Sequence, residues 1–233
     1  MAIYTIGDLH LSLKNPKPMD IFGDNWENHE QKIKEDWLAK VKAEDLVVLP
    51  GDFSWETYLN DTQEDFNYLN SLPGKKILLK GNHDYWWTTV TSMRNFLKEK
   101  NFENIDFIYN NSYEFENYII AGTRGWSVKE EGNEKMLNRE CIRLELSLKD
   151  AVSKSYNGKE ILVFMHYPPI TNIDLIQNKE SDFIRIMKKY NVKRCYYAHL
   201  HSSSINDAIE GKYFGIDFKL VSSDGLNFKL LEI

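Results

Sequence analysis

Short apolar runs, each closed by glycine, aspartate, asparagine or histidine and separated by stretches of helical periodicity, fill the first half of this chain. That alternation is the mark of an α/β fold. The apolar runs predict strands at 3–6, 46–49, 76–79, 107–109, 118–121, 161–165 and 194–197, with three more at 205–208, 218–222 and 228–233. Helices are predicted between them. In 27–41, Ile33, Trp37, Leu38 and Val41 recur at helical spacing, as do Phe66, Leu69 and Leu72 in 61–72. Segments 91–100, 138–151 (Ile142, Leu144, Leu146, Leu148) and 182–190 follow. From about residue 205 onward the chain carries strands without helices, which predicts a second sheet paired largely antiparallel.

No repeat or low-complexity linker divides the 233 residues, so they read as a single domain, 1–233, long enough to bury a sizeable core. With 29 basic and 35 acidic residues the net charge is −6, which argues against a general binder of nucleic acid or anionic membrane. Cys141 and Cys195 stand far apart and outside metal-ligand spacing. A disulfide framework and a zinc ribbon are thereby excluded, and a reducing compartment fits. No apolar run approaches the roughly 18 residues that span a bilayer. The first residues lack the basic-then-apolar pattern of a secretory signal. The expectation is a cytoplasmic protein whose mature form begins at or near Met1.

The histidines carry the chemistry. Of six, five (His10, His83, His166, His199 and His201) come after predicted strands, whereas His29 lies at the start of a helix and reads as a packed histidine. The strand-end segments are Gly7-Asp8-Leu9-His10, Gly51-Asp52, Gly81-Asn82-His83-Asp84, His166 and His199-Leu200-His201. In open α/β sheets, groups at the carboxyl ends of strands collect on one rim. Two carboxylates, one amide oxygen and several imidazoles form a mixed oxygen and nitrogen set. Such a set suits Mn²⁺, Fe, Co or Zn²⁺ and is poor for Ca²⁺. Seven ligands exceed what one catalytic ion takes, and with a shared carboxylate they suit two. Two such ions are the usual device for in-line displacement at phosphorus by a bridging hydroxide. In both Asp8-Leu9-His10 and His199-Leu200-His201, residues i and i+2 of an extended segment would point the same way.

In order and type, these motifs resemble the calcineurin-like metallophosphoesterases, over residues 7 to 201. The resemblance implies a four-layer αββα sandwich, two mixed β-sheets flanked by helices. It implies a first metal held by Asp8, His10, Asp52 and His201, with Asp52 bridging to a second held by Asn82, His166 and His199. His83 would face the leaving group rather than a metal. Ala198 stands where the family usually has glycine. Phe53-Ser54-Trp55-Glu56 follows Asp52, where the Ser/Thr protein phosphatase branch carries an Asp-Arg-Gly run, which sets this chain outside that branch.

Two residues are candidate substrate contacts. Trp86, in Tyr85-Trp86-Trp87, is either part of an aromatic wall for a flat leaving group or core packing. Arg124, in Gly122-Thr123-Arg124-Gly125-Trp126, either forks onto a phosphate oxygen or closes a structural salt bridge. Asp84 is either a turn residue or a support for the ligands. The first functional reading is a binuclear-metal phosphohydrolase, with Mn²⁺ foremost, acting on a phosphodiester or small phosphomonoester. Its partner is that small substrate; a membrane is not expected, and long nucleic acid is disfavoured by the net charge. The alternatives are a metal-binding scaffold without turnover, a nuclease, or a single-metal or oxidative enzyme on the Asp8, His10, Asp52, His201 set.

Overall fold

A computed structural model describes residues 1–127, 134–155 and 158–233. Strand β1 (Ile3–Thr5) is followed by α1 (His29–Lys40), β2 (Leu46–Pro50), α2 (Gln63–Ser71), β3 (Lys75–Leu79) and α3 (Val90–Glu99). Next come β4 (Ile105–Phe107), β5 (Tyr113–Phe115), β6 (Tyr118–Thr123), α4 (Glu134–Lys154) and β7 (Glu160–Met165). Helices α5 (Asn172–Ile176) and α6 (Asp182–Lys189) precede β8 (Arg194–Tyr197), β9 (Gly211–Tyr213), β10 (Ile216–Leu220) and β11 (Leu231–Glu232).

The strands form two mixed sheets, ordered β11-β1-β2-β3-β4 and β5-β6-β7-β8-β10-β9. Both faces of the central strands are buried, which is why they read as unbroken apolar runs. Along β2, Leu46 and Val48 meet Leu162 and Phe164 of β7 between the sheets, while Val47 and Leu49 pack outward with Trp37 and Phe66 of the flanking helices. On the far side, Val163 and Met165 pack with Leu144 and Leu148 of α4 and Ile184 of α6. Helix, sheet, sheet, helix is the expected four-layer sandwich.

Strands β1 to β4 run parallel, as do β6, β7, β8 and β10. The two sheets join at their carboxyl edges through a parallel bridge between Gly7 and Ser222, where Gly7 N–H donates to the Val221 carbonyl at 2.7 Å. One rim therefore collects the loops after strands of both sheets.

Several sequence expectations need correction. The second sheet is not largely antiparallel: β10 adds in parallel to β8, and only the outer strands β5 and β9 run against their neighbours. Segment 205–208 belongs to a 3-10 helix at Ser202–Asp207, and strand pairing in 228–233 is confined to β11. Phe228 and Leu230 are buried through side-chain packing without strand geometry. The strand expected at 107–109 ends at Phe107, in register with β3. Leu38, Ile142 and Leu146 point into solvent, because the buried faces of α1 and α4 are narrower than the runs of apolar residues suggest.

Candidate metal centre

The rim brings together every residue of the predicted ligand set. Asp8 and His10 follow β1, Asp52 follows β2, Asn82 and His83 follow β3, His166 follows β7, and His199 and His201 follow β8. Two groups of metal-ligating atoms lie within 4.8 Å of one another, Asp8 with His10 and His201, and Asp8 with Asp52 and His166. Asp8 is common to both groups, and Asp52 Oδ2 lies 3.8 Å from His10 Nε2 and 3.5 Å from His166 Nε2. Asn82 Oδ1 is 2.6 Å and His199 Nδ1 is 3.2 Å from the same His166 Nε2.

The loops achieve this convergence at a local cost. Asp8, His10, Asp52 and His199 all occupy the left-handed backbone region, with φ of 57°, 46°, 51° and 74°. Each such position costs about 1 kcal/mol or more for an ordinary L-residue. The i, i+2 pairs thus meet through a tight turn of the backbone, not along an extended segment. Gly51 and Gly81 let the loops close: a Cβ at Gly51 would stand 2.6 Å from His166 Nδ1, and one at Gly81 2.1 Å from Asp52 Oδ1.

Hydrogen bonds then orient several of these candidate ligands. His166 Nδ1 lies 3.1 Å from the Pro50 carbonyl, which can only accept, so the ring proton sits at Nδ1. Burial pushes the His166 pKa down to about 3, so the ring is neutral and Nε2 presents a lone pair. That lone pair faces the Asn82 and Asp52 oxygens, acceptor against acceptor, which is favourable only with a cation between them. His199 is held to about 3 by burial and by the neighbouring His166. Burial drives His10 far below the usual imidazole range. His201 departs in the other direction: although burial opposes its charge, Asp8 and a bond to Asp224 raise it to about 10. Its Nδ1 donates to Asp224 Oδ1 at 2.8 Å, and its Nε2, 3.4 Å from Asp8 Oδ1, is buried without a hydrogen bond among the described residues. A proton there occupies the place a metal would take. Burial and the adjacent Asp84 and Asp8 charges push Asp52 well above the carboxylate range, another sign of a site short of positive charge. The donor set fits divalent transition ions.

Asp84 supports the ligands. Fully buried, it accepts from Gly81 N–H (2.7 Å), Asp52 N–H (2.9 Å), Phe53 N–H (2.9 Å), Ser54 N–H (3.3 Å) and Trp86 Nε1 (3.0 Å). It therefore ties the β2 loop to the β3 loop and turns away from His83. His83 is placed instead by its own N–H, which donates to Asp52 Oδ1 at 2.8 Å. Its ring is half-buried, 5.7 Å from that of His10 and 4.4 Å from that of Trp55. Trp55 also stacks on His10 at 4.8 Å, so it is the aromatic that flanks the centre.

Trp86 is only 2% exposed and packs edge-on to Phe53 and Phe66, which corrects the substrate-wall expectation: its face has no access to a ligand. Arg124 makes the ion pair, with Nη2 3.5 Å from Glu140 Oε1. His29 is a packed histidine, with Nε2 3.0 Å from the carbonyl of Leu9, between two ligands. Asp224 went unpredicted. Its signal is an Asp-Gly pair just past a predicted strand, the counterpart of Gly51-Asp52. Ala198, the departure from the glycine pattern, packs against Gly7, where a Cβ would stand 2.7 Å from its own.

A family model described as calcineurin-like phosphoesterase matches residues 1–203. No curated protein matches the chain. Among solved structures, TT1561 of Thermus thermophilus is 12% identical, with a TM-score of 0.60, over 100% of this chain and 97% of that one. The protein of unknown function AQ665 from Aquifex aeolicus is 20% identical, with a TM-score of 0.51, over 99% of this chain and 95% of that one. At these identities the likeness speaks for the fold.

Proposed function

Because the chain belongs to the calcineurin-like phosphoesterase family, we propose that it is a binuclear-metal phosphohydrolase acting on a phosphodiester or a small phosphomonoester. The observation that carries this reading is the cluster of seven ligand side chains from five strand ends, with lone pairs facing one another, beside a half-buried His83 that stands outside the ligand set. Asp8, His10, Asp52 and His201 would hold one ion, and Asn82, His166 and His199 a second, with Asp52 between. Divalent ions there, Mn²⁺ foremost, would supply Lewis acidity to the phosphoryl group and a water acidic enough to attack phosphorus near neutral pH.

The chain's own residues do the rest. Asp224 holds the His201 ring by its Nδ1 proton, and the Pro50 carbonyl holds His166 in the same way, so each ring presents Nε2 inward. His83, anchored through its main chain to Asp52, supplies a proton to the departing oxygen when its ring is protonated, an effect of about 10²–10⁴ in rate; burial lowers its pKa, and the charge of Asp8 opposes that shift. Trp55 stacks on the ring of His10 and packs against that of His83, so it flanks both. Among the described residues no helix is long and apolar enough to cross a membrane. Free Cys141 and Cys195 fit the cytoplasm, and a net charge of −6 favours small substrates over long nucleic acid.

The test is hydrolysis of bis-p-nitrophenyl phosphate beside p-nitrophenyl phosphate by Mn²⁺-loaded protein, with His83→Ala as control. The expected result is metal-dependent turnover of at least one ester, reduced about 10²-fold or more in the variant. Two bound ions without turnover of either ester would support the scaffold reading instead.

A further inference from the structure

Next to the metal cluster, where β3 and β6 end, three cations face one carboxylate. Leu79 at the end of β3 closes on Gly122 of β6, where a Cβ would lie 2.7 Å from Leu79 Cδ2. That contact sets Lys80 and Arg124, just beyond it on their two strands, at a common edge, and Arg143 reaches them from α4. The carboxylate is Glu140, fully buried. It accepts from Thr123 Oγ1 at 2.6 Å and Arg143 Nη1 at 2.5 Å, with Arg124 Nη2 at 3.5 Å. The guanidinium of Arg124 lies over Trp126 at 4.6 Å and that of Arg143 over Tyr109 at 4.7 Å, so both forks are stacked in place.

Arg143 is satisfied by Glu140 and by the Tyr109 hydroxyl, which accepts from its Nη2, but the rest of the arrangement is short of acceptors. Arg124 Nε and Trp126 Nε1 are buried donors without a hydrogen-bond partner among the described residues. Lys80 is half-buried, and its ammonium has no hydrogen-bond or ion-pair partner among the described residues. The carboxylates in its field are Glu140, already shared by two arginines, and Asp84, whose oxygens are taken by the loop N–H groups. Unsatisfied buried donors and an unpaired half-buried lysine are costly unless an anion visits. The cluster also adjoins the metal ligands: the Arg124 carbonyl accepts from His166 N–H at 3.2 Å and Tyr167 N–H at 2.8 Å.

We propose that Lys80, Arg124 and Arg143 form a subsite for a second phosphate group of the substrate, beside the Asn82, His166 and His199 set. Two stacked guanidinium forks with an ammonium match a phosphate dianion better than a single carboxylate, which one fork would satisfy. The inference rests on the phosphohydrolase reading and narrows it: the substrate carries a phosphate besides the one attacked.

Calorimetric titration of the Mn²⁺-loaded full chain with methylphosphonate, and with alkylene bisphosphonates of one, three and five methylenes, tests it without turnover. At least one bisphosphonate is expected to bind about tenfold tighter than methylphosphonate, the scale of one charge-assisted contact. In Lys80→Met and in Arg124→Gln that advantage shrinks to within about twofold, while methylphosphonate binding holds. Lys80→Met removes an unpaired charge, and in Arg124→Gln the carboxylate of Glu140 keeps Arg143, so neither change unpairs the core. An advantage that survives both substitutions is chelation by the metals and overturns the subsite, as does the absence of any advantage. Should methylphosphonate not bind at all, the phosphohydrolase reading fails; the subsite then stands only if a bisphosphonate binds the wild type and not Lys80→Met.

Discussion

At the scale of single residues, two buried carboxylates, Asp84 and Asp224, hold the loops of the candidate centre. Aspartates, histidines and an asparagine just after apolar runs announce a rim site, because strand ends in an open sheet share one edge. Asp84 reads from sequence as either a turn residue or a support and Asp224 was not singled out; their burial and the main-chain N–H groups that Asp84 receives decide for support. Asp84 gives the sharpest prediction. Asparagine keeps the shape but sets an NH₂ against donors, so Asp84→Asn leaves buried N–H groups at the Asp52 loop unpaired. A loss of about 2–4 kcal/mol in urea unfolding is expected, with metal affinity lowered about 10–100-fold in a competition titration. Trp86→Phe, which removes only the indole donor from Asp84, should lose some stability and leave metal affinity within a few-fold. Equal loss of metal affinity in both variants would mean that Asp84 acts through the core alone. Trp55 and Trp86 show the limit of reading type without burial: both follow a ligand motif, and only Trp55 reaches the site.

At the scale of elements, strands buried on both faces were the easiest to find, since β2 and most of β7 are apolar runs ended by polar loops, and β3 closes on Ile77-Leu78-Leu79. The edge strands β5 and β9 were missed because exposed pairing needs no apolar pattern; every residue of β9 is exposed. Segment 205–208 misled for the opposite reason, since isoleucine and alanine pack as well from a 3-10 turn as from a strand. One element carries an unexpected charge. Lys76 of β3 is fully buried, and its ammonium donates to the Leu72 carbonyl that ends α2. Burial lowers its pKa from the ordinary 10.5 to about 7. Between those values the unfolded chain binds the extra proton, so this group makes stability rise with pH from about 7 toward 10.5. Urea unfolding at pH 7.5 and 9.5 should show the wild type gaining up to about 1.4 kcal/mol per pH unit relative to Lys76→Met. Parallel pH dependence in the two proteins would place the Lys76 ammonium in contact with water.

At the scale of the whole molecule, the candidate centre is where the two sheets are joined. Asp8, His10, Asp52 and Asn82 come from loops of the first sheet, and His166, His199, His201 and Asp224 from loops of the second. Without a cation these loops press acceptors and like charges together in a buried space, so ions that bind only the folded chain should hold the sheets to each other. At a free concentration of about 100 Kd, one ion contributes about 2.7 kcal/mol. For a chain of this length that corresponds to a rise of about 5–10 °C in Tm, and two ions should give more. Titrating metal-stripped protein with Mn²⁺ in a thermal melt, with bound metal counted by elemental analysis, measures both quantities. Asn82→Ala and His201→Ala touch different ligand sets, so each should keep about one ion and part of the rise in Tm. If either variant loses all metal, the ligands act as one indivisible site and the two-ion assignment falls. If neither loses any, the ions sit elsewhere and the convergence at the rim is structural.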